Sequence, residues 1–219
     1  MRNMNKNLII FDLDGTLLNT LEDLTDSTNF ALKHFEYKER TIDEIRQFVG
    51  NGVAKLIERA IPDGLNNPNF TECLNIFKQN YAQNMYNKTA PYKGIIKMLE
   101  NLKQQGCTIA VVSNKFDIAV KELCNKYFPN LIDFAAGENE AEGIRKKPHP
   151  DTVLKVIKTF NANNNESVYV GDSEVDILTA KNANLECISV SWGFKTKQFL
   201  IENNAEIIID TPEEIFKYI

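Results

Sequence analysis

The sequence predicts a parallel α/β sheet with helices on both faces, interrupted by an inserted all-helical lobe. Three observations carry that prediction. Short Val- and Ile-rich runs without polar alternation recur along the chain, as strands buried on both faces do. Segments of helical period stand between them, so strand and helix alternate as in βαβ units. That alternation fails between about Leu17 and Met85, a stretch far longer than one crossover needs.

Taken in order, the strand candidates are Leu8–Phe11, Thr108–Val112, a weaker Leu131–Ala136, Ser167–Val170, Cys187–Val190 and Glu206–Ile209. The core helices expected between them are Ile95–Gln104, Ile118–Lys126, Thr152–Thr159 and Val175–Asn182. In the first of these, Ile95, Met98, Leu99 and Leu102 fall on one face. The lobe reads as four helices: Leu21–Phe35, Ile42–Phe48, Val53–Ala60 and Phe70–Tyr86. The Pro91-Tyr92-Lys93-Gly94 turn marks re-entry into the sheet, and the Asn-rich stretches Asn66–Asn69 and Asn161–Asn165 read as loops.

Composition narrows the class. The 219 residues exceed one average domain and fall short of two, which suits one core with an insertion. Hydrophobic residues make up 43% and charged residues 25%, an ordinary globular balance that argues against disorder. A net charge of −5 gives no basic surface for nucleic acid and no positive reason for membrane binding. No apolar run approaches the roughly 20 residues of a spanning helix, and the apolar part of the N-terminus is too short for a signal peptide. A soluble, cytoplasmic protein is expected. Cys73, Cys107, Cys124 and Cys187 lie far apart with no CxxC, and His34 and His149 are isolated. Zinc sites and His-based triads are excluded on spacing, and reduced core thiols are the expectation. Oligomeric state leaves no signature in the sequence.

Four polar clusters stand where predicted strands end or a loop follows: Asp12-Leu13-Asp14-Gly15-Thr16, Ser113-Asn114-Lys115, Lys147-Pro148, and Gly171-Asp172-Ser173 with Asp176 beyond. In open α/β sheets ligands bind outside the carboxyl ends of the strands. Asp12 and Asp14 repel each other unless a proton or cation intervenes. A hard divalent cation, Mg2+ above all, is the natural partner, with Asp172 able to complete its shell. One carboxylate can then attack as a nucleophile while the other moves protons. A bare DxD is more often a solvated turn, but that explanation accounts poorly for all four clusters together. Ser113 and Asn114 are placed at a helix start, where backbone N–H groups welcome an anion and where Ser-Asn is also an ordinary N-cap. Lys147 is stiffened by Pro148 and Pro150. Asp176 has a competing role as a first-turn helix acid. Acid, acid, metal, hydroxyl and ammonium around one crevice suit phosphoryl transfer.

The motifs FDLDGTL (Phe11–Leu17), VVSNK (Val111–Lys115), KKPHP (Lys146–Pro150) and VGDSEVD (Val170–Asp176) resemble, in order, the four motifs of the haloacid dehalogenase superfamily. FVGNGVAKLIERA (Phe48–Ala60) and SWGF (Ser191–Phe194) are similar to stretches of bacterial phosphoglycolate phosphatases. The resemblance implies a Rossmann-like core over residues 1–17 and 87–219 and a small helical cap over 18–86. It implies a Mg2+-dependent phosphatase acting on a small phosphorylated metabolite, 2-phosphoglycolate as the best guess. Asp12 would form an aspartyl-phosphate, and Asp14 would protonate the leaving alcohol and then activate water. Asp12, the Asp14 carbonyl and Asp172 would hold Mg2+, with Asp176 in support. Ser113 and Lys147 would bind the phosphoryl group, with Asn114 and Thr16 alongside. Arg46, Asn51 and Arg59 are cap candidates for the leaving group; a solvated helix face accounts equally for either arginine.

Asp14 sets the chain apart from dehalogenases and phosphonoacetaldehyde hydrolases of the superfamily, which lack an acid there. Mutases resembling β-phosphoglucomutase usually carry an acid before the fourth-motif aspartate, where this chain has Gly171, which favours hydrolysis. A sugar-phosphate mutase, a pyrophosphatase or a nucleotidase are the alternative enzymes. A receiver-like signalling module is the non-enzymatic one, opposed by the single DxD turn and the helical insertion. Two departures, Asn19-Thr20 after the first motif and Ala183-Asn184 late in the core, touch no chemistry. Asn184 tolerates the left-handed conformation a helix end can demand.

Overall fold

The computed structural model describes residues 6–139 and 143–219. The signal-peptide reading draws partly on residues 1–5, which lie outside the described residues, as do residues 140–142. The chain divides into two compact units, one of residues 1–18 and 91–219 and one of residues 19–90.

The larger unit is built on a six-stranded sheet. Its strands are β1 (Leu8–Phe11), β4 (Thr108–Phe116), β5 (Phe134–Glu138), β6 (Ser167–Gly171), β7 (Glu186–Val190) and β8 (Ile207–Ile209). Two-residue strands β2 (Leu18–Asn19) and β3 (Ala90–Pro91) pair where the chain leaves and returns. The sheet order is β5-β4-β1-β6-β7-β8 and every pairing is parallel. The chain therefore steps outward from β1 on one side, then restarts beside β1 on the other, which makes the β1–β6 junction the topological switch point.

β1 explains why no alternation is visible in its sequence: Leu8, Ile9, Ile10 and Phe11 are all buried. Leu8 and Ile10 pack with Ala110, Val112 and Tyr169 against Val153, Val156 and Ile157 of α7 (Asp151–Thr159) and Ala180 of α8 (Glu174–Asn182). Removing each such aliphatic side chain from water is worth about 1.5–3 kcal/mol. α5 (Ile95–Gln104) packs on β4 and buries the predicted stripe Ile95, Met98, Leu99 and Leu102. α6 (Asp117–Tyr127) packs on β4 and β5. A sixth-strand crossover uses α9 (Lys197–Glu202), and a 3-10 helix closes the chain at Pro212–Lys217.

The smaller unit holds α1 (Leu21–His34), α2 (Ile42–Phe48), α3 (Val53–Ala60) and α4 (Phe70–Asn84). α1 packs on α2, α3 and α4 around Ala31, Leu32, Ile45, Leu56, Ile57, Phe77 and Tyr81. Phe77 and Tyr81, one helical turn apart, stack with ring centroids 5.6 Å apart. Thr41 starts α2 with a reciprocal capping box to Glu44. Asp23 fixes the return segment by accepting from the backbone N–H of Lys88 and Thr89.

Three expectations are corrected. The fifth strand lies at Phe134–Glu138, later than Leu131–Ala136, because Asp133 turns aside to accept from the Ile109 N–H and pair with Lys103. β4 runs on through Phe116, so Ser113 and Asn114 lie within the last part of a strand and do not start a helix; α6 begins at Asp117 with no side-chain cap. α4 ends at Asn84, short of Tyr86. Asn184 adopts φ 56°, the left-handed geometry expected of it. Among the described residues no helix is long and apolar enough to cross a membrane, and all four cysteines are free.

Candidate active site

The site is assembled at the switch point. Asp12 follows β1 directly, and its N–H donates to the Val170 carbonyl of β6 at 2.9 Å, so the pairing fixes the direction in which its carboxylate leaves the sheet. Beyond it the chain curls back: the Leu13 carbonyl accepts from both Leu17 and Leu18 N–H at 3.0 Å. Gly15 takes φ 85°, and a Cβ there would overlap the Asp172 carboxylate. Only glycine meets both demands.

Asp172 leaves β6 next to β1. Its Oδ2 accepts from the Phe194 N–H at 2.7 Å and its Oδ1 from the Thr16 hydroxyl at 3.4 Å. Thr16 is itself fixed, since its carbonyl accepts from Trp192 Nε1 at 3.0 Å. Asp176 sits in the first turn of α8, where its Oδ2 accepts from Ser173 Oγ at 2.6 Å and from the Ser173 N–H at 3.1 Å. Its Oδ1 takes Lys147 Nζ at 2.7 Å. The helix-cap role and the site role therefore coexist in one carboxylate. Gly171 has no room for a Cβ against Asp176.

Lys147 precedes a cis peptide to Pro148. Its ammonium lies 2.9 Å from Asp12 Oδ1, 2.7 Å from Asp176 Oδ1 and 3.1 Å from the Tyr169 hydroxyl, which donates to the Val112 carbonyl at 3.2 Å. Burial opposes the Lys147 charge, but Asp12 and Asp176 outweigh it and hold its pKa well above the ordinary lysine range. Asn114 clamps the Lys147 backbone: Oδ1 accepts its N–H at 2.8 Å and Nδ2 donates to its carbonyl at 3.0 Å. Ser113 is buried beside it, its Oγ accepting from the Lys115 N–H at 3.3 Å.

Electrostatics mark the same spot. Burial pushes the Asp12 pKa up to about 7, with Lys147 pulling down and Asp176 and Asp14 adding to the rise. Burial likewise drives Asp172 well above the carboxylate range, reinforced by Asp176 and Asp12. Asp12, Asp172 and Asp176 each offer an oxygen, all within 4.8 Å of one another. Asp12 Oδ1, though close to Lys147, lacks a hydrogen bond of proper alignment among the described residues. Three buried carboxylates, two of them sharing one ammonium and one of their oxygens unsatisfied, form a hard-oxygen donor set that fits a divalent cation such as Mg2+.

Among the sequence candidates, Asp12, Thr16, Ser113, Asn114, Lys147, Asp172 and Asp176 all belong to this buried neighbourhood. The Asp14 carboxylate, near enough to add to the rise at Asp12, is held by Lys115 Nζ at 2.9 and 3.1 Å. Within the helical unit, Arg59 donates to the Phe48 carbonyl at 2.6 Å and to Asn51 Oδ1 at 2.9 Å, so these two candidates meet. Arg46 instead pairs with Asp43 at 3.6 Å near the surface. Sequence reasoning assigned no role to Lys115 or Tyr169. Lys115 stood inside a quoted motif, whereas Tyr169 in an apolar strand looks like any core aromatic.

Residues 9–190 match the family model described as haloacid dehalogenase-like hydrolase. The phosphoglycolate phosphatase of Psychrobacter arcticus is 30% identical over 230 aligned positions, covering 99% of this chain and 96% of the relative. Phosphoglycolate phosphatase 1 of Pseudomonas aeruginosa is 29% identical, covering 95% and 78%. A crystal structure from Lactobacillus delbrueckii subsp. bulgaricus, provisionally described as a phosphoglycolate phosphatase, superposes with a TM-score of 0.91 at 36% identity over 97% of each chain.

Proposed function

This chain belongs to the haloacid dehalogenase-like hydrolase family, and on that premise we propose that it is a Mg2+-dependent phosphomonoesterase of small phosphorylated metabolites, with 2-phosphoglycolate as its substrate. The observation that carries the reading is the meeting of Asp12, Asp172 and Asp176 within 4.8 Å, with Lys147 2.9 Å from Asp12, at the switch point of the sheet. Asp12, the Asp14 carbonyl and Asp172 would hold Mg2+, with Asp176 in support. The bound ion supplies charge neutralisation on the phosphoryl oxygens.

The residues divide the work. Asp12 attacks phosphorus as the bond to the leaving alcohol breaks, and Asp14 gives its proton to that alkoxide. Asp14, now a carboxylate, takes a proton from water as the water oxygen attacks the aspartyl-phosphate. Inorganic phosphate departs and the Asp12 carboxylate is restored. Lys147 and Ser113 hold phosphoryl oxygens, Asn114 keeps Lys147 in place, and Thr16 steadies Asp172. The helical unit serves as the cap, its Asn51 and Arg59, with Arg46, supplying leaving-group contacts. The tight fit of Gly171 against Asp176 supports hydrolysis over the mutase reading, because the extra acid of the mutases has no space here.

Phosphate release with Mg2+ across 2-phosphoglycolate, hexose phosphates, pyrophosphate and nucleoside monophosphates tests the proposal, with Asp12→Asn as control. A sharp preference for 2-phosphoglycolate that the substitution abolishes is expected. Activity surviving Asp12→Asn would remove the nucleophile assigned here. Interconversion of glucose 1- and 6-phosphates without net phosphate release would establish the mutase instead.

A further inference from the structure

We propose that Lys115 is the positioning residue of Asp14, aiming its carboxylate at the water that releases phosphate from the enzyme; the inference rests on the acid–base reading of Asp14 above. Lys115 Nζ reaches both Asp14 oxygens, at 2.9 and 3.1 Å. The two residues are 101 positions apart in sequence, so no local turn accounts for their meeting. The Lys115 side chain is 2% exposed and that of Asp14 is 19% exposed, so a rigid, dry ammonium holds a carboxylate that faces outward.

The backbone that delivers Lys115 is fixed on every side. The register of β4 against β5 shifts between Val112 and Phe116, which re-aims the residues within that stretch. Gly137 of β5 permits the shift, since a Cβ there would overlap the Lys115 carbonyl and the Asp117 backbone. Asp117 Oδ1 accepts from the Gly137 N–H at 3.0 Å, and Asn114, the preceding residue, is tied to Lys147. Asp14, by contrast, sits in a turn, and its terminal torsion is of the broad, weakly restrained kind. A two-pronged contact with a fixed cation restrains that torsion.

The consequence falls on one step. Attack of Asp12 on an ester whose leaving group departs without a proton does not need Asp14. Hydrolysis of the aspartyl-phosphate does, because the attacking water must lose its proton. Removing the ammonium should therefore leave the first step and impair the second.

The experiment uses the full chain with p-nitrophenyl phosphate and 2-phosphoglycolate, comparing wild type, Lys115→Met, Lys115→Arg, Asp14→Ala and the Asp14→Ala/Lys115→Met double variant. Lys115→Met should give a burst of p-nitrophenol matching the enzyme concentration, followed by turnover slowed about 100-fold, the scale of acid–base assistance. KM for p-nitrophenyl phosphate should fall together with kcat, leaving kcat/KM within about twofold because that ratio reports the first step, and Lys115→Arg should recover about tenfold of the lost rate. In the Asp14→Ala background Lys115→Met should cost nothing further, the mark of a residue acting through another. Additive losses, or burst and turnover falling together, would overturn the proposal in favour of a merely structural pair. Unchanged kinetics in Lys115→Met would overturn it too. If Lys115→Met fails to fold, Lys115→Arg and Lys115→Gln carry the same comparison, with thermal unfolding confirming their integrity. An active wild type silenced by Asp12→Asn, with Lys115 variants unaffected, sinks this inference alone. A wild type inactive on every ester sinks the functional reading first.

Discussion

Asn114 and Lys147 exchange two hydrogen bonds, side chain to backbone, at 2.8 and 3.0 Å. The side-chain amide of Asn114, late in β4, thus holds both backbone groups of a turn residue 33 positions on and places the ammonium that Asp12 and Asp176 share. Asn114→Ala should leave two buried Lys147 backbone groups without that partner and cost about 1–3 kcal/mol of stability. Activity should fall more than stability explains, because Lys147 loses its aim. Asn114→Asp keeps an acceptor but loses the donor and should fall between. Urea unfolding alongside steady-state rates checks the ranking.

Gly193 lies tight against Asp172, and a Cβ there would overlap both the Asp172 side chain and the Gly15 carbonyl. Overpacking of this kind costs about 1–3 kcal/mol where the neighbours are fixed. Asp172 is fixed, by Phe194 and Thr16. Gly193→Ala should lower the melting temperature and weaken Mg2+ binding measured by calorimetry, while Ala substitution at Gly106, a position with nothing within 4 Å, should leave Mg2+ binding unchanged.

These contacts mark what the sequence could and could not reveal. β1 and β6 were legible because strands buried on both faces write themselves as unbroken apolar runs. The helices of the smaller unit were legible from their apolar period. Ser113-Asn114 was misread because an irregular strand end and a helix start share the same small polar residues. α9 and the closing 3-10 helix are six residues each, too short for periodicity to declare them. The carboxylates of the site could be picked out by their strand-end positions. Their partners could not: Lys115 and Tyr169 gain meaning only when residues distant in sequence meet them.

The cysteines offer a check on packing rather than chemistry. Burial pushes the Cys73 thiol up to about 11 and the Cys124 thiol up to about 12, and it raises Cys107 as well. Cys187 is raised also, by burial first and then by Asp176. Since the thiolate is the reactive form, the native protein should resist a thiol reagent at pH 8, and all four thiols should titrate in guanidinium. Rapid labelling of Cys73 or Cys124 in the native state would show that α4 or α6 opens locally.

Asp151 provides the clearest link between pH and stability. It opens α7, and the Arg145 guanidinium bound to it, together with the Arg145 N–H, holds its carboxyl at about 2 in the folded state against 3.8 for the free group. A carboxyl whose folded value is depressed stabilises the fold fully above its unfolded value. That contribution fades as pH falls from about 4 toward 2, when both states become protonated. The pair is solvent-accessible, so screening limits it to about 0.5–1 kcal/mol, with the helix N-terminus adding to the Asp151 side of the balance. Asp151→Asn should therefore be less stable than wild type at pH 7 by that amount and match it as pH approaches 2. High salt should shrink the gap at pH 7. Urea midpoints for both proteins, taken at pH 7, 5, 4 and 3, measure it directly: a gap that is constant through pH 3 would show that the side chain acts through packing and not through its charge.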